Sequence, residues 1–295
     1  FKQKTAYEIS TRDWSSDVCS SDLASASLTA PAPRPLVMAA LGNSVPTPAE
    51  GLEAEVAWYP DLAALQADTS GRPRGRIVFI DQKTERTRDG SGYGRAVAAR
   101  FAGAVEAARQ GAVALGIRSI GTDRHRVAHT GAMAYDLNVP RIPAFAVSVP
   151  DAELIARLNA RGDSMRMQLH LASRADVEAT THNVIAEVPG GELADEVVLL
   201  GAHLDSWDVG QGAADDGAGV AIVLAAAASL QRAGLRPRRT VRVVLFANEE
   251  NGFDGARHYG DTYGTAAHQL IGESDFGAGR VWRFSTRVDR KSTRL

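Results

Sequence analysis

The chain has 295 residues, 44% of them hydrophobic, and a net charge of −2 from 33 basic and 35 acidic side chains. This length suits two domains of ~100–200 residues each, and the interleaved, nearly balanced charge excludes the electrostatic footprint of a nucleic-acid or anionic-membrane binder. No stretch reaches the ~18 uninterrupted apolar residues of a membrane span; the nearest, VAIVLAAAASL at 220–230, reads as a buried helix.

Both ends read as foreign to the fold. DRKSTRL at 289–295 is encoded by GATCGGAAGAGCACACGTCTG, and the reverse complement, in another frame, yields the Asp-Val-Cys-Ser-Ser-Asp run found within residues 16–23. That DNA resembles a sequencing adapter, and residues 1–9 resemble its primer extension, so 1–23 and 289–295 are set aside as artefact. The single cysteine, Cys19, falls in the excluded stretch and reports nothing about redox compartment. A signal peptide would lie upstream of Ala24. The genuine chain is expected to continue past Val288, leaving its last domain truncated.

In chain order, residues 26–36 are Ala/Pro-rich and read as part of an extended lead-in, 24–59. Residues 60–175 read as an accessory module, α/β or β-rich. It has strands over 75–81, 111–119 and 142–149, a small-residue helix over 94–111, and a helix over 150–162 opened by Pro-Asp and closed by Gly. After a strand over 182–190 the units lengthen within 176–288. Strands at 196–204, 239–248 and 268–275 alternate with helices at 216–234 and 252–264, which predicts crossover units and a largely parallel sheet.

Open α/β sheets place their sites at the carboxyl ends of strands. Each of the three last strands ends in imidazole or acid: His203 and Asp205, then Glu249 and Glu250, then Glu273 and Asp275. Carboxylates gathered there repel one another, and a cation is the usual remedy. One imidazole with several carboxylates and no thiolate suits zinc, with manganese or cobalt as alternatives, whereas calcium prefers oxygen alone. A bridging carboxylate such as Asp215 would hold two ions ~3.5–4 Å apart, with a spare glutamate as base.

Rival motifs fail. GQGAAD at 210–215 sits where a dinucleotide-binding turn would, yet Asp215 and Asp216 would face the pyrophosphate. Neither Gly-x-Ser-x-Gly nor His-Glu-x-x-His occurs.

The stretches GAHLDSWDVGQGAADDGAG (201–219), LFANEENG (245–252) and ESDFG (273–277) resemble the co-catalytic zinc exopeptidases, a family that includes aminopeptidase Y and the glutamate carboxypeptidases. The resemblance runs from about Leu36 to Ser285, and the 60–175 module resembles the protease-associated domain inserted in one subgroup. It implies a three-layer α/β/α zinc-exopeptidase catalytic domain, partial here, carrying a β-rich protease-associated accessory domain. It also implies two zinc ions and hydrolysis of dipeptides or short peptides. Residue by residue, His203 and Asp275 would bind one zinc, Asp215 would bridge, Glu250 would bind the second, Glu249 would be general base, and Asp205 would orient the His203 ring. The family's last ligand, a histidine expected well beyond Val288, has no counterpart, so the second metal site should be incomplete and the truncated chain inactive. A general aminopeptidase and a non-catalytic receptor-like peptide binder are the alternatives. The expected partner is a small peptide, with no nucleic acid and no membrane span; the likeness leaves a homodimer open and leans toward export, extracellular or periplasmic.

Several residues have plainer readings. Asp208 fits a turn, Asp216 the N-cap of the helix that follows, and Trp207 packing; Glu273 fits a structural carboxylate or a contact to a substrate terminus. His125, His129, His170, His182, His258 and His268 read as surface or core histidines, and the RPRR run at 236–239 as a solvated loop.

Overall fold

The computed structural model describes residues 24–173, 178–207, 210–275 and 279, together with the backbone of 2–12. The predictions for Asp208 and for the 289–295 end lie outside the described residues.

In chain order the first unit comprises β2 (Ala24–Ala30), β3 (Arg34–Leu36), β4 (Met38–Ala40), β5 (Leu52–Tyr59), α1 (Leu62–Gln66), β6 (Ile77–Ile80), α2 (Ser91–Arg109), β7 (Ala114–Arg118), β8 (Ala144–Val147), α3 (Val149–Ala160) and β9 (Arg166–Leu171); β1 (Lys2–Arg12) precedes it. These strands form one eight-stranded sheet in the order β3-β2-β9-β5-β6-β7-β8-β4. The four from β5 to β8 run parallel, and the flanking strands pair antiparallel. Ile77–Ile80 and Ala144–Val147 are buried at every position, as parallel strands covered on both faces must be. α2 closes one face with Ala99, Ala104 and Ala107, and α3 the other with Ala152, Ile155 and Leu158. The small residues of α2 serve close approach: a Cβ on Gly103 would lie 3.1 Å from both Ile80 and Leu115. α3 starts where Ser148 accepts a hydrogen bond from the Asp151 N–H, with proline in its first turn.

Residues 26–36, expected as a lead-in, are extended but supply β2 and β3 of this same sheet, and β5 and β9 join them. The alternation in LEAEVAWY and RMQLHL is the period-2 signal of those two strands.

The second unit contains β10 (Glu178–Val188), β11 (Leu193–His203), α4 (Gly217–Arg232), β12 (Arg239–Phe246), α5 (Asp254–Tyr263) and β13 (Ala267–Glu273). Its sheet order is β1-β10-β12-β11-β13, with β11 parallel to both β12 and β13 and β10 antiparallel to β12. Alternate β12 residues feed opposite cores: Val241, Val243 and Leu245 pack with Val223 and Ala227 of α4, while Val244 and Phe246 pack with Tyr259 of α5. The result is a three-layer α/β/α stack. Two expectations change here. The 220–230 helix is not buried throughout: only Gly219, Val223 and Ala227 of α4 are, and Ile222 is exposed. Residues 2–12, set aside from the fold, pair as β1 along β10. Main-chain bonding at a sheet edge asks for extended backbone rather than a particular sequence.

Candidate metal centre

Register brings three strand ends to one edge. His203 stands opposite Phe246 across the β11–β12 pair, and Gly201 opposite Glu273 across β11–β13. The Ser274 N–H then donates to the Gly201 carbonyl at 2.9 Å, which sets Asp275 Oδ1 3.8 Å from His203 Nε2.

The His203 side chain is 1% exposed and its ring is oriented by backbone. Nδ1 lies 2.9 Å from the carbonyl oxygen of Asp205; a carbonyl only accepts, so Nδ1 carries the hydrogen. The lone pair of Nε2 therefore faces carboxylate oxygens: Asp215 Oδ1 at 3.0 Å, Asp275 Oδ1 at 3.8 Å and Glu249 Oε2 at 4.0 Å. Acceptors crowded against acceptors require a proton or a metal cation between them.

Asp216 caps α4 rather than joining that crowd. Its Oδ1 accepts the Gly219 N–H and its Oδ2 the His203 N–H, both at 3.0 Å. Gly219 is obligatory for this contact, because a Cβ there would lie 2.0 Å from the Ser274 carbonyl and 2.1 Å from Asp216 Oδ1. The neighbouring residue, Asp215, is left to project into the site; the peptide between the two is cis.

The paired glutamates sit in a tight loop after β12. Asn248 and Phe253, at its two ends, have φ of 54° and 61°, conformations that cost energy for residues with a Cβ and persist where surroundings over-determine them. Those surroundings are visible. Asp205 accepts the Glu249 N–H at 2.9 Å and the Glu250 N–H at 3.1 Å, and Asn248 donates to Asp254. Buried Asn183 of β10 accepts the Ala247 N–H and donates to the Gly255 carbonyl. Asp205 thus orients the His203 ring through its carbonyl, while its carboxylate fastens the glutamate loop; the expected carboxylate-to-ring contact is a longer 3.7 Å. Trp207 covers Gly42 of the first unit and donates from Nε1 to Glu250 Oε2 at 2.6 Å, a role that packing alone did not suggest.

Electrostatics follow from the crowding. Burial, with the neighbouring carboxylates, pushes Glu249 and Glu250 up to about 7. Asp215 and Glu273 are raised for the same reasons. For His203, burial acts downward, but Asp205 and Glu249 outweigh it and the net shift is upward. Protons are thus held where cations would be welcome. Donor atoms of His203, Asp215 and Glu250 lie within 4.8 Å of one another, as do those of His203, Asp216 and Asp275. Because both Asp216 oxygens already accept backbone N–H groups, the donors that remain are His203, Asp215, Glu250 and Asp275. One imidazole with carboxylates fits zinc chemistry.

Residues 183–275, which hold every one of these side chains, match the family model described as Peptidase family M28. Over that segment the chain is similar to peptidase family M28. A carboxypeptidase Q from Xenopus laevis is 39% identical over 255 residues, covering 86% of this chain and 53% of that protein. The solved structure of a peptidase M28 precursor from Shewanella amazonensis SB2B is 48% identical, with a TM-score of 0.88 over 94% of this chain and 62% of that one. BSAP, a zinc aminopeptidase from Bacillus subtilis, shares the fold at 20% identity, with a TM-score of 0.61 over 92% of this chain and 59% of that one. The chain spans about half the length of the curated relatives it matches. These comparisons agree with the α/β architecture and with the exopeptidase likeness seen in the motifs.

All six residues singled out in sequence, His203, Asp205, Asp215, Glu249, Glu250 and Asp275, meet in this one place. Glu273 lies at the end of β13 beside Glu249 and Phe253 in a smaller cavity of about 200 Å³. Among the described residues, no helix is long and apolar enough to cross a membrane.

Proposed function

We propose that the chain carries the metal-binding part of a zinc-dependent exopeptidase that hydrolyses dipeptides or short peptides. The observation that carries this reading is the lone pair of His203 Nε2 facing Asp215, Asp275 and Glu249 within 4.0 Å at the joint end of three strands. His203 and Asp275 would hold one zinc, Glu250 the other, and Asp215 would bridge. Bound zinc supplies Lewis acidity toward the scissile carbonyl and a lowered pKa for the attacking water.

The chain's own residues do the rest. Glu249, raised to about 7, is poised to take a proton from the attacking water and return it to the leaving amine, since a base works best near the operating pH. Asp205 keeps Glu249 and Glu250 in register through their N–H groups, and Trp207 pins Glu250. The eight-stranded unit, which runs from Ala24 to Leu171 and includes most of the 60–175 segment, takes the part of a protease-associated accessory module. The family likeness also supports export, extracellular or periplasmic, with a homodimer as the assembly to test by light scattering.

In the protein extended to the length of its relatives, two zinc ions per chain and chelator-sensitive hydrolysis of Leu-Ala are expected. Tight peptide binding without turnover would instead favour the receptor-like reading. Cleavage of long peptides from the amino end alone would favour the general aminopeptidase.

A further inference from the structure

Trp207 and Glu250 stand together in the walls of two cavities, of about 480 and 680 Å³, that open beside the metal centre. Glu250 therefore borders open space in both, and among the described residues the Trp207 indole, at 2.6 Å, is the only hydrogen-bond donor to its carboxylate. Trp207 itself belongs to no strand or helix, so its ring takes its position from what it lies against. It lies on Gly42 of the first unit so closely that a Cβ there would fall 2.6 Å from Cη2 and 2.9 Å from Cζ3. Gly42 is not among the glycines with a left-handed backbone; the ring, rather than the chain conformation, is what requires a residue without a side chain. The segment around Gly42 is braced from both sides. Its N–H donates to the Gly131 carbonyl at 3.0 Å and its carbonyl accepts the Met133 N–H at 3.1 Å, a parallel bridge to Ala132. The Leu41 N–H donates to the Ala144 carbonyl at 3.0 Å, and Asn43 Nδ2 to the Met133 carbonyl at 2.8 Å.

We propose that Gly42 is a positioning residue for Glu250: the braced segment of the first unit seats the Trp207 indole, and the indole fixes the carboxylate between the two cavities. The inference rests on the exopeptidase reading for the zinc that Glu250 then holds, but not for the positioning itself. A ligand oriented before the metal arrives gives up little side-chain freedom on binding, and partners that orient ligands are worth about 10- to 100-fold in metal affinity. A methyl group at position 42 must displace the ring, because the backbone around it is bonded on both sides and the Ala132 Cα would lie 3.3 Å away. The first unit thereby enters the affinity of the centre for its metal, although the proposed ligands all lie in the second unit.

The test uses the protein extended to the length of its relatives. In its metal-free form, proton NMR, with Trp207 assigned by its loss in Trp207→Phe, should show slow solvent exchange of the Trp207 Nε1–H and a nuclear Overhauser contact between the indole ring and Gly42 Hα. Gly42→Ala should return that Nε1–H to the exchange of an exposed indole and weaken zinc binding by about tenfold or more in competition with a chelator. The same change in the Trp207→Phe background, where a shorter ring has no bond to Glu250 to lose, should alter zinc affinity by about twofold or less, an asymmetry that a general loss of folding does not produce. Zinc affinity unchanged in Gly42→Ala, or an equal loss with and without the indole, overturns the proposal. Where Gly42→Ala does not fold, the unsubstituted protein decides: a protected Nε1–H in contact with Gly42 supports the seat, and a freely exchanging one, or no contact, overturns it. If that protein binds no zinc while its Nε1–H is protected and Gly42→Ala releases it, the functional reading fails and the positioning stands; zinc binding and peptide hydrolysis that are the same in both proteins have the opposite meaning.

Discussion

Glu249 and Glu250 are neighbours in sequence but are held differently. Glu250 accepts a hydrogen bond from Trp207, whereas the contact of the Glu249 carboxylate is with His203 Nε2 at 4.0 Å. In the proposed function Glu249 is the base and Glu250 a ligand. Glu249→Gln should therefore leave zinc content unchanged by elemental analysis and lower kcat by about 10²–10⁴-fold; zinc lost along with activity would make Glu249 a ligand instead. Trp207→Phe keeps the ring over Gly42 but removes the donor to Glu250, and zinc affinity should weaken by about 10- to 100-fold in competition with a chelator. At this scale the sequence was informative about identity and silent about hydrogen bonding. Motif position places Asp205 near His203, yet only the fold shows that its carboxylate serves the backbone of a loop forty-four residues away.

At the scale of elements, the site depends on how α4 and the glutamate loop begin. Asp216→Ala removes a cap and strands the His203 N–H, so unfolding should become easier by about 1–3 kcal/mol in urea. A change below about 0.5 kcal/mol would show that these bonds are replaced by water. Gly219→Ala drives a Cβ into the Ser274 carbonyl, and the β13 end carrying Asp275 must shift, so zinc affinity should fall together with stability. The strands and helices of the second unit were legible because long apolar runs alternate with capped helical patterns there. The flanking strands of the first unit were harder: β2 and β3 lie in an Ala/Pro-rich stretch, and β5 and β9 are single strands that meet only after more than a hundred residues have intervened. Sidedness was also hidden in α4, whose alanines are equally at home facing the sheet or facing solvent.

For the molecule as a whole, the acid cluster sets the response to pH. Glu249 and Glu250 titrate near 7 in the folded protein against an ordinary 4.5. Between those values the folded state binds more protons than the unfolded one, so the metal-free protein loses stability as pH rises from about 4.5 to 7. The upward shift of His203 acts in the same direction. Thermal midpoints of metal-free protein should therefore fall from pH 5 to pH 7.5, and zinc, displacing those protons, should restore the midpoint most at the higher pH. A midpoint rising over that range would show that the cluster is not the dominant titrating unit. The central claim, that three strand ends share divalent ions, is tested most directly by anomalous diffraction at the zinc edge from crystals grown with zinc. The account predicts a peak about 2.0–2.2 Å from His203 Nε2 and from a carboxylate oxygen of Asp215 or Asp275; zinc absent from that edge, or bound instead at the accessory histidines His125 and His129, would contradict it.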